Sequence, residues 1–333
     1  EKLGDAWVKK ENYVGNGAYK LTNHIINEKI EFERNPLYWN DKETVINSAT
    51  FLAIENPSTD VARYRAGDLD MTSYALPPEQ FAKLQKELPG EVFTTRTLAT
   101  YSYELNNKKA PFDNVNVRKA LNLSLDRNVI TDKVLDQGQT PTYVFTPTYI
   151  EEGHLIQQPA YSKEPMAQRN EEAIKLLEEA GYSKANPLKF SILYNTNENH
   201  KKVAIAAASM WKANTKGLID VKLENQEWKT YIDSRRAGRY DAARAGWNAD
   251  YNQATTFGNY FLSNSSNNTA KYANPEYDKA IAESYVATDA EGRAKAYAKA
   301  EEILAKDFGI VPIFNYVNPR LVKPYVKGYS GKD

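Results

Sequence analysis

Strand and helix signals alternate along most of this 333-residue chain, which predicts an α/β fold. Three observations carry the expectation. Apolar and charged side chains alternate singly at 29–33, apolar residues recur at helical spacing at 173, 176, 177 and 180, and Gly, Pro and Asn punctuate the stretches between.

The elements follow in order. Residues 16–34 read as a hairpin, with 18–21 as one arm and Ile30, Phe32 and Arg34 alternating with charged neighbours on the other. An apolar run at 48–54 ends at Asn56-Pro57 and reads as a strand before a turn. A short helix is expected at 59–67, with Thr59 as N-cap and Gly67 as its stop. Another at 80–88 is opened by Pro77-Pro78 and closed by Pro89-Gly90. The tyrosine-rich stretch 100–106 predicts a strand, 116–125 a helix, and the prolines of 138–165 a loop. A helix at 168–180 stopped by Gly181 comes next, then strands at 188–193 and 221–223 flanking a helix at 200–212. A helix at 228–237 closed by Gly238 precedes a strand at 241–247 and a polar loop at 248–268. Asn274-Pro275 starts a helix to 286, and Thr288 with Glu291 forms a capping box for a last helix to about 306. Strands at 310–316 and 320–325 close the chain.

Composition excludes several classes. Lysine and arginine total 43, as do aspartate and glutamate, so the chain lacks the positive balance of a nucleic-acid binder. With no cysteine there is no disulfide, thiolate metal site or cysteine nucleophile. No apolar run approaches the roughly 18 residues that a membrane span needs. The polar start lacks Met and the apolar core of a signal peptide, so a mature or processed chain is expected. Tyrosine, at 23 residues, is the one excess, and its apolar body with a polar tip suits a binding surface as well as a core.

Enzyme motifs are scarce. Gly15-Asn-Gly17 leads into a strand where a dinucleotide site needs a helix. His24, His154 and His200 stand far apart with no carboxylate at ligand spacing, so no metal, no cofactor and no catalytic residue is expected. One stretch, from Asp241 to Tyr251, combines unusual neighbours. Arg244 interrupts a small apolar strand, Gly246 leaves room for another backbone, Trp247 is a flat wall, and Asp250 sets a carboxylate just beyond the strand. Trp228 and Arg235, seven residues apart, share a helix face. The set suits a ligand with an extended backbone and opposite charges at its ends. An Arg–Asp salt bridge beside two core tryptophans accounts for it equally.

These residues also carry a family likeness. Gly15-Asn-Gly-Ala-Tyr-Lys-Leu21, Glu33-Arg-Asn-Pro-Leu-Tyr-Trp39 and Arg63-Tyr-Arg-Ala-Gly-Asp-Leu-Asp70 belong to it. So do Asn225-Gln-Glu-Trp-Lys-Thr230, Ala243-Arg-Ala-Gly-Trp-Asn-Ala-Asp-Tyr251, Leu262-Ser-Asn-Ser-Ser266 and Arg320-Leu-Val-Lys-Pro324. Through them nearly the whole chain resembles the family-5 extracellular solute-binding proteins of bacterial ABC importers. The Arg-Ala-Gly-Trp and Asn-Gln-Glu-Trp runs point to the peptide-binding branch.

The resemblance implies a periplasmic-binding-protein-like fold (type II, cluster C) of two lobes, with hinge strands near 99–106 and 311–316. It implies that the N-terminal part of lobe I and a satellite domain II are missing. Residues 1–98 and 312–333 would then be the remainder of domain I, and 99–311 domain III, the peptide-binding lobe. The implied activity is periplasmic capture of oligopeptides with broad sequence tolerance and delivery to inner-membrane ABC permease subunits. The missing N-terminal segment is a further implied partner, and nucleic acid is not one. Asp250 would pair with the peptide ammonium, while Gly246 and Asn248 would bond its main chain. Arg235, Arg244 and His200 would receive the terminal carboxylate, Trp228 and Trp247 would wall side-chain pockets, and Glu104 and Tyr316 would line the cleft. Relatives that take murein tripeptide, dipeptides, nickel complexes or haem are alternatives, as is a peptidase that anchors the same chain ends.

Overall fold

The structure, a computed structural model, describes residues 3–73 and 75–330. Contacts divide the chain into two compact units, residues 1–63 and 64–333. Residues 1, 2 and 331–333, at the ends of the segments expected in domain I, lie outside the described residues.

The first unit is built on the expected hairpin. Strands β1 (Tyr19–Ile25) and β2 (Lys29–Arg34) pair antiparallel, and β3 (Ser48–Leu52) joins β2 with Ile30 opposite Phe51. Arg34 grips Asp41 in a fork, Nε–Oδ1 2.5 Å and Nη2–Oδ2 2.9 Å. The apolar side chains here stay largely in solvent: Trp39 is 85% and Phe51 62% exposed. Helix α1 (Pro57–Ala66) starts earlier than expected and crosses the division. Asn56, not Thr59, is its cap, accepting from the N–H groups of Ser58 and Thr59. Pro57 is already helical, and its missing N–H costs nothing at the first position.

In the second unit α2 (Pro78–Glu87) leads into β4 (Val92–Leu105) and α3 (Val115–Leu123). The single turn α4 (Arg127–Val129) opens into a π-helical stretch to Leu135, followed by the short β5 (Thr140–Pro141). Then come α5 (Met166–Glu179), β6 (Leu188–Asn195), α6 (Glu198–Asn214), β7 (Ile219–Gln226), α7 (Trp228–Arg236) and β8 (Ala242–Asn248). The expected loop after β8 contains a helical turn, α8 (Thr255–Gly258). The last elements are α9 (Pro275–Val286), α10 (Ala290–Lys306) and β9 (Ile310–Leu321). The strands form one mixed sheet in the order β5-β9-β4-β8-β6-β7. Among the described residues no helix is long and apolar enough to cross a membrane.

Two expectations shift here. The separate terminal strands are one, because β4 starts earlier than expected and gives β9 a partner from Glu104–Ile310 to Val92–Leu321. That ladder loses register between Arg96 and Thr100 and again between Tyr101 and Ser102, the second inside the stretch 99–106 expected as the first hinge strand. Helix α10 is capped by Asp289 rather than Thr288, with Oδ1 2.7 Å from the Gly292 N–H. Each face of the sheet is buried. One core gathers Tyr101, Tyr103, Leu121, Trp211 and Ile313, and a second gathers Phe145, Phe257, Tyr260, Tyr277 and Ile310.

Candidate functional site

Strand β8 leaves part of one edge open. It pairs with β4 along its whole length, from Leu105–Ala242 to Ala99–Asn248, but with β6 only at Ala242 and Ala243. Alternate residues of a strand turn their main-chain groups to opposite edges. The Ala249 N–H donates to the Leu98 carbonyl on the β4 side, and the Arg244 carbonyl accepts from the Tyr231 hydroxyl. By that alternation Gly246 and Asn248, both expected to bond a ligand's main chain, turn N–H and C=O to the open edge. From Arg244 to Asn248 the edge runs about 14 Å, at about 3.4 Å per residue.

The Arg244 side chain shares a face of the sheet with its cross-strand partner Tyr103 and with Tyr101, which lies opposite Gly246. The Arg244 guanidinium lies 5.1 Å over the Tyr101 ring, touches the Tyr316 hydroxyl, and reaches Asn195 Oδ1 at 3.5 Å. Gly246 makes this possible. A Cβ there would come within 2.9 Å of both Arg244 Nη2 and the Tyr316 hydroxyl. The salt bridge from Arg244 to Asp250 that offered the plainer account of this stretch is not formed: Arg244 faces phenols and an amide, and Asp250 a threonine.

His200 is drawn partly out of solvent. It sits in the first turn of α6, half-buried, its ring 5.6 Å from that of Tyr101. Burial, and then the charge of Arg244, push its imidazole well below the usual 6.5, so the ring is neutral at pH 7. It offers a carboxylate an N–H but no positive charge. It lines a cavity of about 100 Å³ with Tyr101, Gln137, Asn199, Phe314 and Tyr316.

Two expected site residues are already committed to each other. Glu104, expected to line the cleft, is 1% exposed, with Oε1 2.9 Å from Arg235 Nη2. Arg235 Nη2 also meets the hydroxyls of Tyr260 at 3.2 Å and Thr269 at 3.0 Å. Releasing Arg235 to a ligand carboxylate would leave Glu104 buried without its cation, at about 3–5 kcal/mol. That leaves Arg244 as the available charge. Trp228, at the start of α7, is 54% exposed and stacks toward Tyr231 at 5.8 Å, so it is not a core tryptophan. Trp247, on the opposite face from Arg244, packs against Tyr260 at 4.8 Å and donates Nε1–H to the Thr256 carbonyl at 2.9 Å.

Asp250 lies exposed, two residues past β8, with Oδ2 3.2 Å from the Thr256 hydroxyl. Sequence reasoning missed Thr256, Tyr101 and Asn195. Thr256 had a signal, a short hydroxyl side chain six residues after the acid. The other two touch Arg244 only through the fold. No cluster of three metal-ligating side chains occurs among the described residues.

The model of the bacterial extracellular solute-binding proteins, family 5 Middle, matches residues 1–269. The chain is 96% identical over 333 residues to the periplasmic oligopeptide-binding protein OppA of Haemophilus influenzae, covering all of this chain and 62% of that protein. It is 43% identical over 326 residues to the periplasmic murein peptide-binding protein MppA of Escherichia coli, covering 98% of this chain and 60% of that one. A crystal structure of Haemophilus influenzae OppA in complex with RPPGFSPFR matches all of this chain and 65% of its own, with TM-score 0.96 and 95% identity. The murein tripeptide binding protein MppA of Escherichia coli matches with TM-score 0.93 at 42% identity, over 98% of this chain and 64% of its own. The chain thus spans less than two thirds of the length of these relatives.

Proposed function

The chain belongs to the bacterial extracellular solute-binding proteins of family 5, and we propose that it is the peptide-gripping part of a periplasmic oligopeptide-binding protein serving an inner-membrane ABC permease. The observation that carries this reading is the open edge of β8, with Arg244 along it and Asp250 just past its end. A free peptide is an extended backbone with an ammonium at one end and a carboxylate at the other. Laid antiparallel on β8, it bonds to Gly246 and Asn248 whatever its side chains are, its ammonium at Asp250 and its later residues passing Arg244. His200 lies farther along as a neutral donor, Trp228 and Trp247 flank side-chain pockets, and Tyr316 steadies Arg244. Residues 99–311 then form domain III, and 1–98 with 312–333 contribute to domain I, completed by an N-terminal segment. The names of the relatives, oligopeptide- and murein peptide-binding proteins, support binding rather than peptide cleavage.

The test is calorimetry on the full-length protein with trialanine and N-acetyl-trialanine. Asp250→Asn should weaken trialanine about thirtyfold or more, the scale of losing one partner of a shielded charge pair, and leave the acetylated peptide nearly unchanged. Equal loss for both peptides removes Asp250 from the ammonium site.

A further inference from the structure

From the bonds around one buried hydroxyl we infer that Thr256 is the positioning residue that aims the Asp250 carboxylate, which rests on the reading of Asp250 as the ammonium partner. Thr256 lies in the single turn α8, 4% exposed. Its Oγ1 has three neighbours: the Asp250 N–H at 3.2 Å, the Trp247 Nε1–H at 3.3 Å, and Asp250 Oδ2 at 3.2 Å. A hydroxyl has one proton to give and two lone pairs to receive with. Two of the neighbours are N–H donors and occupy the lone pairs. The hydroxyl proton therefore points at Oδ2.

That assignment turns a flexible, solvent-facing carboxylate into an oriented one. Oδ2 is held by Thr256, and the main chain of the same aspartate is held by the same oxygen. Asp250 Oδ1 is left to meet a ligand cation in a fixed direction. Trp247 is fastened twice to the same residue, through the carbonyl at 2.9 Å and through Oγ1, so the flat wall and the acid are set by one side chain. The segment is itself tied down: Ala254 N–H donates to the Glu151 carbonyl at 3.0 Å, and the Glu151 N–H donates to Asn252 Oδ1 at 3.1 Å. Preorganisation of this kind lowers the ordering cost that a ligand would otherwise meet.

A double-mutant cycle with trialanine in the full-length protein tests this, with thermal unfolding confirming that each variant folds. Thr256→Val should weaken trialanine about tenfold, the worth of a hydrogen bond to a charged group, and Thr256→Ser should stay within about twofold of the parent. In the Asp250→Asn background Thr256→Val should cause no further loss, because the group it orients is no longer charged. If the valine variant does not fold, Thr256→Ala carries the same cycle. The same loss in both backgrounds, or no loss from Thr256→Val while Asp250→Asn is severely weakened, overturns the role of Thr256 alone. Undiminished trialanine binding by Asp250→Asn overturns the ammonium site and this inference with it.

Discussion

Arg244 carries its charge into a wall of phenols rather than to a carboxylate, and that shapes the chemistry of its neighbours. The Tyr101 ring below it and the Tyr316 hydroxyl beside it stabilise the cation without neutralising it, so the guanidinium keeps its full charge. His200 has the opposite fate. Its folded pKa is pushed below the ordinary 6.5, so below that pH the unfolded chain binds a proton that the folded chain refuses. His200 therefore costs no stability above pH 6.5. Its contribution is lost as pH falls from there toward the lowered folded value, at up to about 1.4 kcal/mol per pH unit. Urea unfolding at pH 8, 6.5 and 5.5 should show a shallower acid-side decline for His200→Gln than for the parent. Parallel declines would mean that the ring titrates normally.

At the scale of elements, helix ends decide where the site residues stand. The Asn197 side chain accepts from the N–H groups of Asn199 and His200 at 2.9 and 3.1 Å, which fixes the first turn of α6 and with it the imidazole. The far helix offers a direct check of cap assignment. Thr288 with Glu291 reads as a capping box, yet the bond to the Gly292 N–H comes from Asp289. Asp289→Ala should cost about 1 kcal/mol in urea midpoint stability and Thr288→Ala should be near neutral. The reverse order would restore the capping box. The same scale explains the open edge. Strands β6 and β8 share two paired positions, whereas β6 follows β7 for its whole length. The second half of β8 is left with donors and acceptors facing outward.

The two units differ sharply in how much they bury. Residues 64–333 hold aromatic-rich cores, while in the sheet of residues 1–63 no strand residue is buried, and Val14, Ile26 and Leu37 nearby are 93, 78 and 91% exposed. A three-stranded sheet gains stability by covering one face with another layer. The relatives are longer than this chain, and the proposal that further chain completes domain I carries the expectation that this added chain covers that face. The 333-residue chain alone should therefore bind the dye ANS strongly, and the full-length protein should bind it several-fold less per mole. Equal dye binding would mean that nothing in the longer chain covers this sheet.

Much of the molecule was legible in its residues. The longer helices of 64–333 fall close to their expected places because apolar periodicity, prolines and glycine stops act within a turn or two of chain, whereas β4, β9 and the helical stretch from Arg127 to Leu135 do not follow the local reading. The stretch from Arg244 to Asp250 stood out for the same local reason, a charge and a glycine inside an apolar strand. What needed the tertiary structure is which groups find each other. Glu104 meets Tyr260 across 156 residues and shields Arg235, so an arginine expected to be free is spent on the core. His200 is held neutral because the fold buries its ring and then brings the charge of Arg244 to it from another strand. Thr256 holds Asp250 because a helical turn folds back where composition predicts a loop. Local patterning determines where elements form, since their hydrogen bonds and caps are made between near neighbours. Charge state and orientation depend on burial and on distant partners, and those come into being only when the sheet assembles.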